Sequence, residues 1–102
     1  MAQRPAGVPE EFDWDRGNLT KNQKHGVNPK DIESLLRHDL ILAGRITESA
    51  HVEPRWLLLG TSDAGRRLAL VFTRRGDRLR PISCRPTRTN ERKLYEELTG
   101  QE

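Results

Sequence analysis

The chain has 102 residues, 33% of them hydrophobic and 32% charged, with a net charge of +3 at neutral pH. That length suits one domain with a modest core, and the charged share exceeds the rough quarter usual for globular domains. No apolar run approaches the ~20 residues of a membrane span, residues 1–11 lack the apolar stretch of a signal peptide, and the single Cys84 excludes an internal disulfide and a thiolate metal cage. A cytoplasmic bacterial protein is the expectation, with Cys84 as a small core filler.

Residues 1–10, "MAQRPAGVPE", hold two prolines and a glycine without periodicity and read as a disordered lead to a single domain over 11–102. "FDW" (12–14) reads as a short strand. Asp15 then caps a helix over about 16–25 that Gly26 ends, since glycine tolerates the left-handed C-terminal position. "NPKDIESLLR" (28–37) opens a second helix, with Asn28 as N-cap, Pro29 in the first turn and Ile32, Leu35 and Leu36 on one face. "DLILAGRI" (39–46) is a strand, followed by a polar connection. Three strands at hairpin spacing come next: 55–62, 66–74 and 78–85, joined through "SDAG" and "RGD". The middle one is apolar from Leu68 to Phe72, which predicts a central strand covered on both faces. Pro81 cannot donate to a ladder, so it predicts an edge strand or a bulge. A last helix spans about 89–98, with Leu94 and Leu98 expected to face inward.

Charge is unevenly placed. Arg74 to Lys93 holds eight basic and two acidic residues, a local +6, so the rest of the chain sums to −3. Such asymmetry points to a polyanionic partner met by the C-terminal third. A solvated strand face is the plainer alternative, but these arginines fall at element boundaries. There is no Gly-rich phosphate loop, no nucleophile elbow and no acidic cluster for a two-metal nuclease. His25, His38 and His51 recur at equal steps without a cysteine or carboxylate pattern that would make a zinc site. No metal and no cofactor are expected. Any chemistry must come from histidine, lysine, arginine, tyrosine and a carboxylate.

Taken together, "FDWDRGNLTKNQKHGV" and "ISCRPTRTNERKLYEE" resemble the BrnT family, ribonuclease toxins of bacterial type II toxin–antitoxin modules. The likeness rests on Phe12, Trp14, Asp15, Asn18, Asn22, Lys24, His25 and Gly26, and on His51, Glu53, Arg55 and Gly60. It closes on Ile82, Ser83, Arg85, Glu91, Arg92 and Tyr95, so it covers about residues 12–97. The pattern departs at Pro81, Thr87 and Arg88. The resemblance implies an α+β, RelE-like fold: a small antiparallel sheet with two N-terminal helices packed on one face and a C-terminal helix. It also implies RNA as substrate, with ribosome-associated mRNA included. A cognate ribbon-helix-helix antitoxin is implied as partner, forming a heterotetramer that binds operator DNA, with no membrane involved.

Within that resemblance the arginines gain a chemical purpose. Metal-independent RNA cleavage uses the 2′-hydroxyl as nucleophile, and preorganised guanidiniums stabilise the charge that gathers on the phosphorane. Arg85 and Arg80 are the leading candidates, with Arg55 as a third. Strict alternation puts Arg80 and Arg85 on opposite faces, so both can serve only if Pro81 bends the strand. Glu53 and His51 are candidates for base and acid, and spacing leaves their roles open. Lys24, His25, Arg78, Arg88 and Arg92 are candidate RNA contacts. His25 also reads as a helix-end histidine, Trp14, Trp56 and Tyr95 as packing residues, and Arg92 as an i,i+4 partner of Glu96. The alternative function is a non-catalytic nucleic-acid-binding domain using the same arginines. A gyrase-poisoning toxin on the same fold is a third reading.

Overall fold

Helix α1 (Pro29–Ser34) starts where the sequence demands. Asn28 Oδ1 accepts the Asp31 N–H at 2.9 Å, and Asp31 Oδ2 accepts the Asn28 N–H at 3.2 Å. This reciprocal capping box satisfies two donors that a helix start otherwise leaves unpaired, and Pro29 costs nothing in the first turn. One 3₁₀ turn, Leu35–Arg37, extends the helix. The computed structural model describes residues 8–9, 11–15, 26–46 and 54–100. The helix expected over 16–25 lies outside the described residues, although Gly26 has the positive φ of 67° expected of its C-terminal glycine.

Five strands follow from the alternating segments: β1 (Glu11–Phe12), β2 (Leu40–Ile46), β3 (Arg55–Thr61), β4 (Arg67–Arg75) and β5 (Arg78–Pro86). Their order across the sheet is β1-β5-β4-β3-β2, so β4 is central as its apolar run predicts. The sheet is mixed, which corrects the expectation of an all-antiparallel one. β2 to β5 pair antiparallel, but β1 runs parallel to β5. A parallel neighbour requires a long crossover, and residues 13–77 supply it. Helix α2 (Thr89–Thr99) closes the chain, so the described elements are an α+β arrangement with one short helix ahead of β2 and one C-terminal helix.

The two sheet faces differ. On one, Ile32 and Leu35 of α1 pack with Val27, Leu58, Leu70, Phe72 and Leu79 into the main core, and Cys84 is buried there. Val8, within the stretch read as a lead, is also buried against this core. Burial pushes the Cys84 thiol up to about 12, which fits an inert filler. Gly60 permits the close approach: a Cβ there would stand 2.9 Å from Leu40 Cδ2 and 3.3 Å from Leu35 Cδ2. Trp14 and Trp56 pack half-buried against the same core, Trp14 stacked on Phe12 and Trp56 on Phe72.

The second face carries a smaller core of Leu59, Ala69 and Tyr95, covered by α2. Leu94 and Leu98 do not face inward. They are 37% and 64% exposed, while Tyr95 is fully buried. The inward stripe is Glu91, Tyr95 and Thr99, at steps of four, and the leucines lie one residue, or about 100°, around the helix. Tyr95 wins this position because its hydroxyl finds partners inside. It donates to the Asp39 carbonyl at 2.8 Å and accepts from Thr61 Oγ1 at 3.0 Å. The Arg67 guanidinium lies 5.0 Å from the ring centre. Because α2 covers only the Leu59 and Ala69 end, Leu57 and Val71 remain half-exposed. Burial on both faces of β4 thus holds for Leu68–Leu70 and fails at Val71.

Candidate active site

The sheet register decides where the arginines go. Val71 is opposite Ser83 and Phe72 is opposite Pro81, so Ile82 is an extra residue, a β-bulge in β5. Proline has no N–H for the ladder and stands at this bulge, past the last pairing of β1 at Leu79. The extra residue changes the parity of the strand. Arg80 is opposite Thr73 and Arg85 is opposite Ala69, and those two partners are four apart in unbroken β4. Arg80 and Arg85 therefore lie on the same face, the one carrying Tyr95. The bend that both arginines needed is present.

Arg55 joins that face from β3 by alternation with Leu57 and Leu59. Thr73 Oγ1 donates to the Pro54 carbonyl at 2.7 Å, which pins the segment leading into β3 against this side of the sheet. His51 and Glu53 sit just upstream and lie outside the described residues, as do Lys24 and His25. The part of the face that α2 leaves uncovered thus presents Arg55, Arg80 and Arg85 around a half-buried floor of Val71 and Ser83, with Thr73 buried beside it.

Both leading arginines already hold carboxylates. Arg85 makes a two-pronged pair with Glu91, Nη1 to Oε1 at 2.7 Å and Nη2 to Oε2 at 2.9 Å, and these side chains are 26% and 11% exposed. Glu91 Oε1 also accepts the Arg88 N–H at 2.8 Å. Arg88 occupies the N-cap position of α2 but its side chain offers no acceptor, so only this half of a capping box is possible. Hydrogen bonding from Arg85 holds the Glu91 carboxyl below the usual carboxylate range, and Glu91 in turn raises the Arg85 guanidinium. Arg80, only 18% exposed, contacts Asp15 through Nη2 and lies 3.7 Å from Asp13 through Nη1.

The remaining candidates lie apart. Arg78 is at the β4–β5 turn end, 3.7 Å from Glu11, and borders a cleft of about 520 Å³ with Phe12, Trp14 and Leu36. Arg92 pairs with Glu96 at 3.6 Å on α2, the i,i+4 arrangement anticipated for it. Among the described residues no group of three or more His, Cys, Asp or Glu lies together in a way that could hold a metal ion, and no helix is long and apolar enough to cross a membrane.

A family model described as the ribonuclease toxin BrnT of type II toxin–antitoxin systems matches residues 14–91. The chain belongs to the BrnT family. A search of curated proteins gives no match. The matched span of this BrnT chain runs from Trp14 to Glu91, so it takes in the bulge, Arg55, Arg80 and Arg85, and ends on the carboxylate that holds Arg85. Membership supplies ribonuclease activity and a toxin's place beside a cognate antitoxin.

Sequence reasoning did not assign the carboxylates that hold Arg80 and Arg85. Asp13 and Asp15 stand in "EEFDWD" and were read as strand and helix cap, yet both face Arg80. The available signal was charge: an acidic segment at one end of a chain whose other end carries +6. Glu91 had a signal too, as the acidic residue in the first turn of the last helix, six residues after Arg85.

Proposed function

We propose that this BrnT chain cleaves RNA without a metal ion, on the uncovered half of the second sheet face, by attack of the 2′-hydroxyl on the adjacent phosphate. The observation that carries the reading is the bulge at Ile82, which turns Arg80 and Arg85 to one side with Arg55. Guanidiniums on one face there stabilise the added charge of the phosphorane more than that of the ground-state phosphate. Arg85 binds Glu91 end-on through its two Nη atoms and gives a second Nη1 N–H to the Pro86 carbonyl at 3.3 Å, so its Nε–H and one further Nη2 N–H remain for a phosphate. Glu53 and His51, just upstream of Pro54 in the sequence, are the proposed proton carriers, and Lys24, His25, Arg78, Arg88 and Arg92 extend the RNA contact. The toxin acts in the cytoplasm on cellular RNA and slows translation and growth.

Purified protein incubated with RNA in EDTA tests this directly. Cleavage should leave 2′,3′-cyclic phosphate ends and should fail on 2′-O-methyl RNA, which lacks the nucleophile. Absence of cleavage with retained RNA binding would instead favour a non-catalytic nucleic-acid-binding domain. The carboxylates on Arg80 and Arg85 give that second reading its support, since an arginine already paired in the free protein serves holding as readily as chemistry.

The proposed partner is a ribbon-helix-helix antitoxin that sets acidic side chains near Arg80 and Arg85. Two such pairs joined through the antitoxin make a heterotetramer that binds its own operator. Charge complementarity should govern the association rate and apolar contacts the lifetime. Co-expression with the neighbouring reading frame should restore growth and yield a co-purifying complex. Good tolerance of the toxin alone would overturn the assignment.

A further inference from the structure

We infer that Asp13 and Asp15 form an internal anion that occupies Arg80 in the RNA-free protein and is displaced by an RNA phosphate. The inference rests on the RNA-cleavage reading above and names two residues that it does not use. Carboxylate oxygens and phosphate oxygens take the same guanidinium N–H groups, so one Arg80 cannot serve both fully. Asp15 meets Nη2 and Asp13 approaches Nη1 at 3.7 Å, so both Nη atoms face a carboxylate.

The contact that these carboxylates make is built to yield. β1 has two residues, Glu11 opposite Arg78 and Phe12 opposite Leu79, and one further bond joins the Asp13 N–H to the Leu79 carbonyl at 2.8 Å. Asp15 lies past that last bond to β5, and its side chain is 44% exposed, four times the figure for Glu91. Phe12 and Trp14 hold this edge to the main core, so the yielding parts are the two carboxylate side chains, which can rotate away from Arg80 while the backbone stays packed. RNA brings a chain of phosphates, so it can replace two carboxylates at Arg80 while other arginines anchor it. The clasp would also screen Arg80 from other cellular anions until RNA is seated.

The experiment measures binding of a fixed 2′-O-methyl RNA, which cannot be cleaved, against salt concentration. Wild type is compared with D13N/D15N, R80Q and the triple variant D13N/D15N/R80Q. Glu97→Gln, an exposed change on α2, controls for net charge and is compared with Asp15→Asn, which also removes a single negative charge. We expect D13N/D15N to bind about three- to tenfold tighter, with a log–log salt slope steeper by up to about one contact. R80Q should bind more weakly, and the carboxylate changes should add nothing in the R80Q background. If D13N/D15N proves unstable in a thermal melt, Asp15→Asn alone should give the same sign with a smaller gain. The clasp is overturned if the gain persists without Arg80, if Glu97→Gln gives the same gain as Asp15→Asn, or if removing the carboxylates weakens binding. In those outcomes R80Q still weakens binding and the RNA reading stands. Should wild type bind no RNA at all, the RNA reading fails and the clasp falls with it.

Discussion

Arg80 and Arg85 stand on one strand, on one face, and each holds a carboxylate, yet the two pairs are different devices. Arg85 reaches six residues along the chain to Glu91, in a two-pronged bond whose acid is nearly buried. Arg80 reaches 65 residues back to Asp15 and two further to Asp13, beside an edge strand of two residues. The first pair closes a short loop at a helix start, so little chain entropy opposes it, and it is screened from water. The second spans a long loop, and its acids are the more open ones, 28% and 44% exposed, where ion pairs contribute little. One arginine fastens a helix to the sheet, and the other holds two carboxylates of the edge segment.

That contrast can be broken experimentally. The largest effect is expected for Arg85→Ala, which leaves Glu91 buried without its partner and frees the start of α2. A loss of about 2–3 kcal/mol by urea denaturation is expected, together with lost growth arrest. The sequence alone suggests that a strand-end arginine can be removed with the fold intact, and the Glu91 pair argues against that. A loss below about 0.5 kcal/mol would erase the distinction between the two arginines.

Acid should read out the same pair. Glu91 is depressed in the folded state, so its contribution is present above the ordinary glutamate pKa of 4.5 and is lost as pH falls through its lower folded value. Wild type should therefore lose stability below about pH 4.5 more steeply than Glu91→Gln does, as followed by thermal melts across pH. Equal acid limbs would show that the pair adds nothing to folding.

Tyr95→Phe separates the two anchors of α2. It removes the bond to the Asp39 carbonyl and the one from Thr61, at a cost of about 1–1.5 kcal/mol, and should leave RNA affinity unchanged. A larger loss than that of Arg85→Ala would make the tyrosine, and not the ion pair, the principal fastening. The smallest stability change is expected for Arg80→Ala, below about 1 kcal/mol, beside a clear loss in RNA binding. A strongly destabilised Arg80→Ala protein would mean that the Asp13 and Asp15 contact is structural.

Much of this could be read without coordinates because the signals are local. Asn28, Pro29 and Asp31 specify a helix start within four residues, since the bonds they make join neighbours. The unbroken apolar run from Leu68 to Phe72 made β4 central, and the missing N–H of Pro81 announced an irregularity that the register resolves as a bulge at Ile82. Periodicity on α2 misled, because it counted Leu94 and Leu98 and gave no weight to the partners that a tyrosine hydroxyl finds inside. The sequence could say that Arg80 and Arg85 share a face only if the strand bends. It could not say which anion each would hold. That depended on β1 returning parallel to β5 after a long crossover, a pairing set by the packing of Phe12 and Leu79 into the common core and not by any local preference. Local hydrogen bonding and turn chemistry fixed the elements, while the burial of distant apolar residues on one face decided which charges meet on the other.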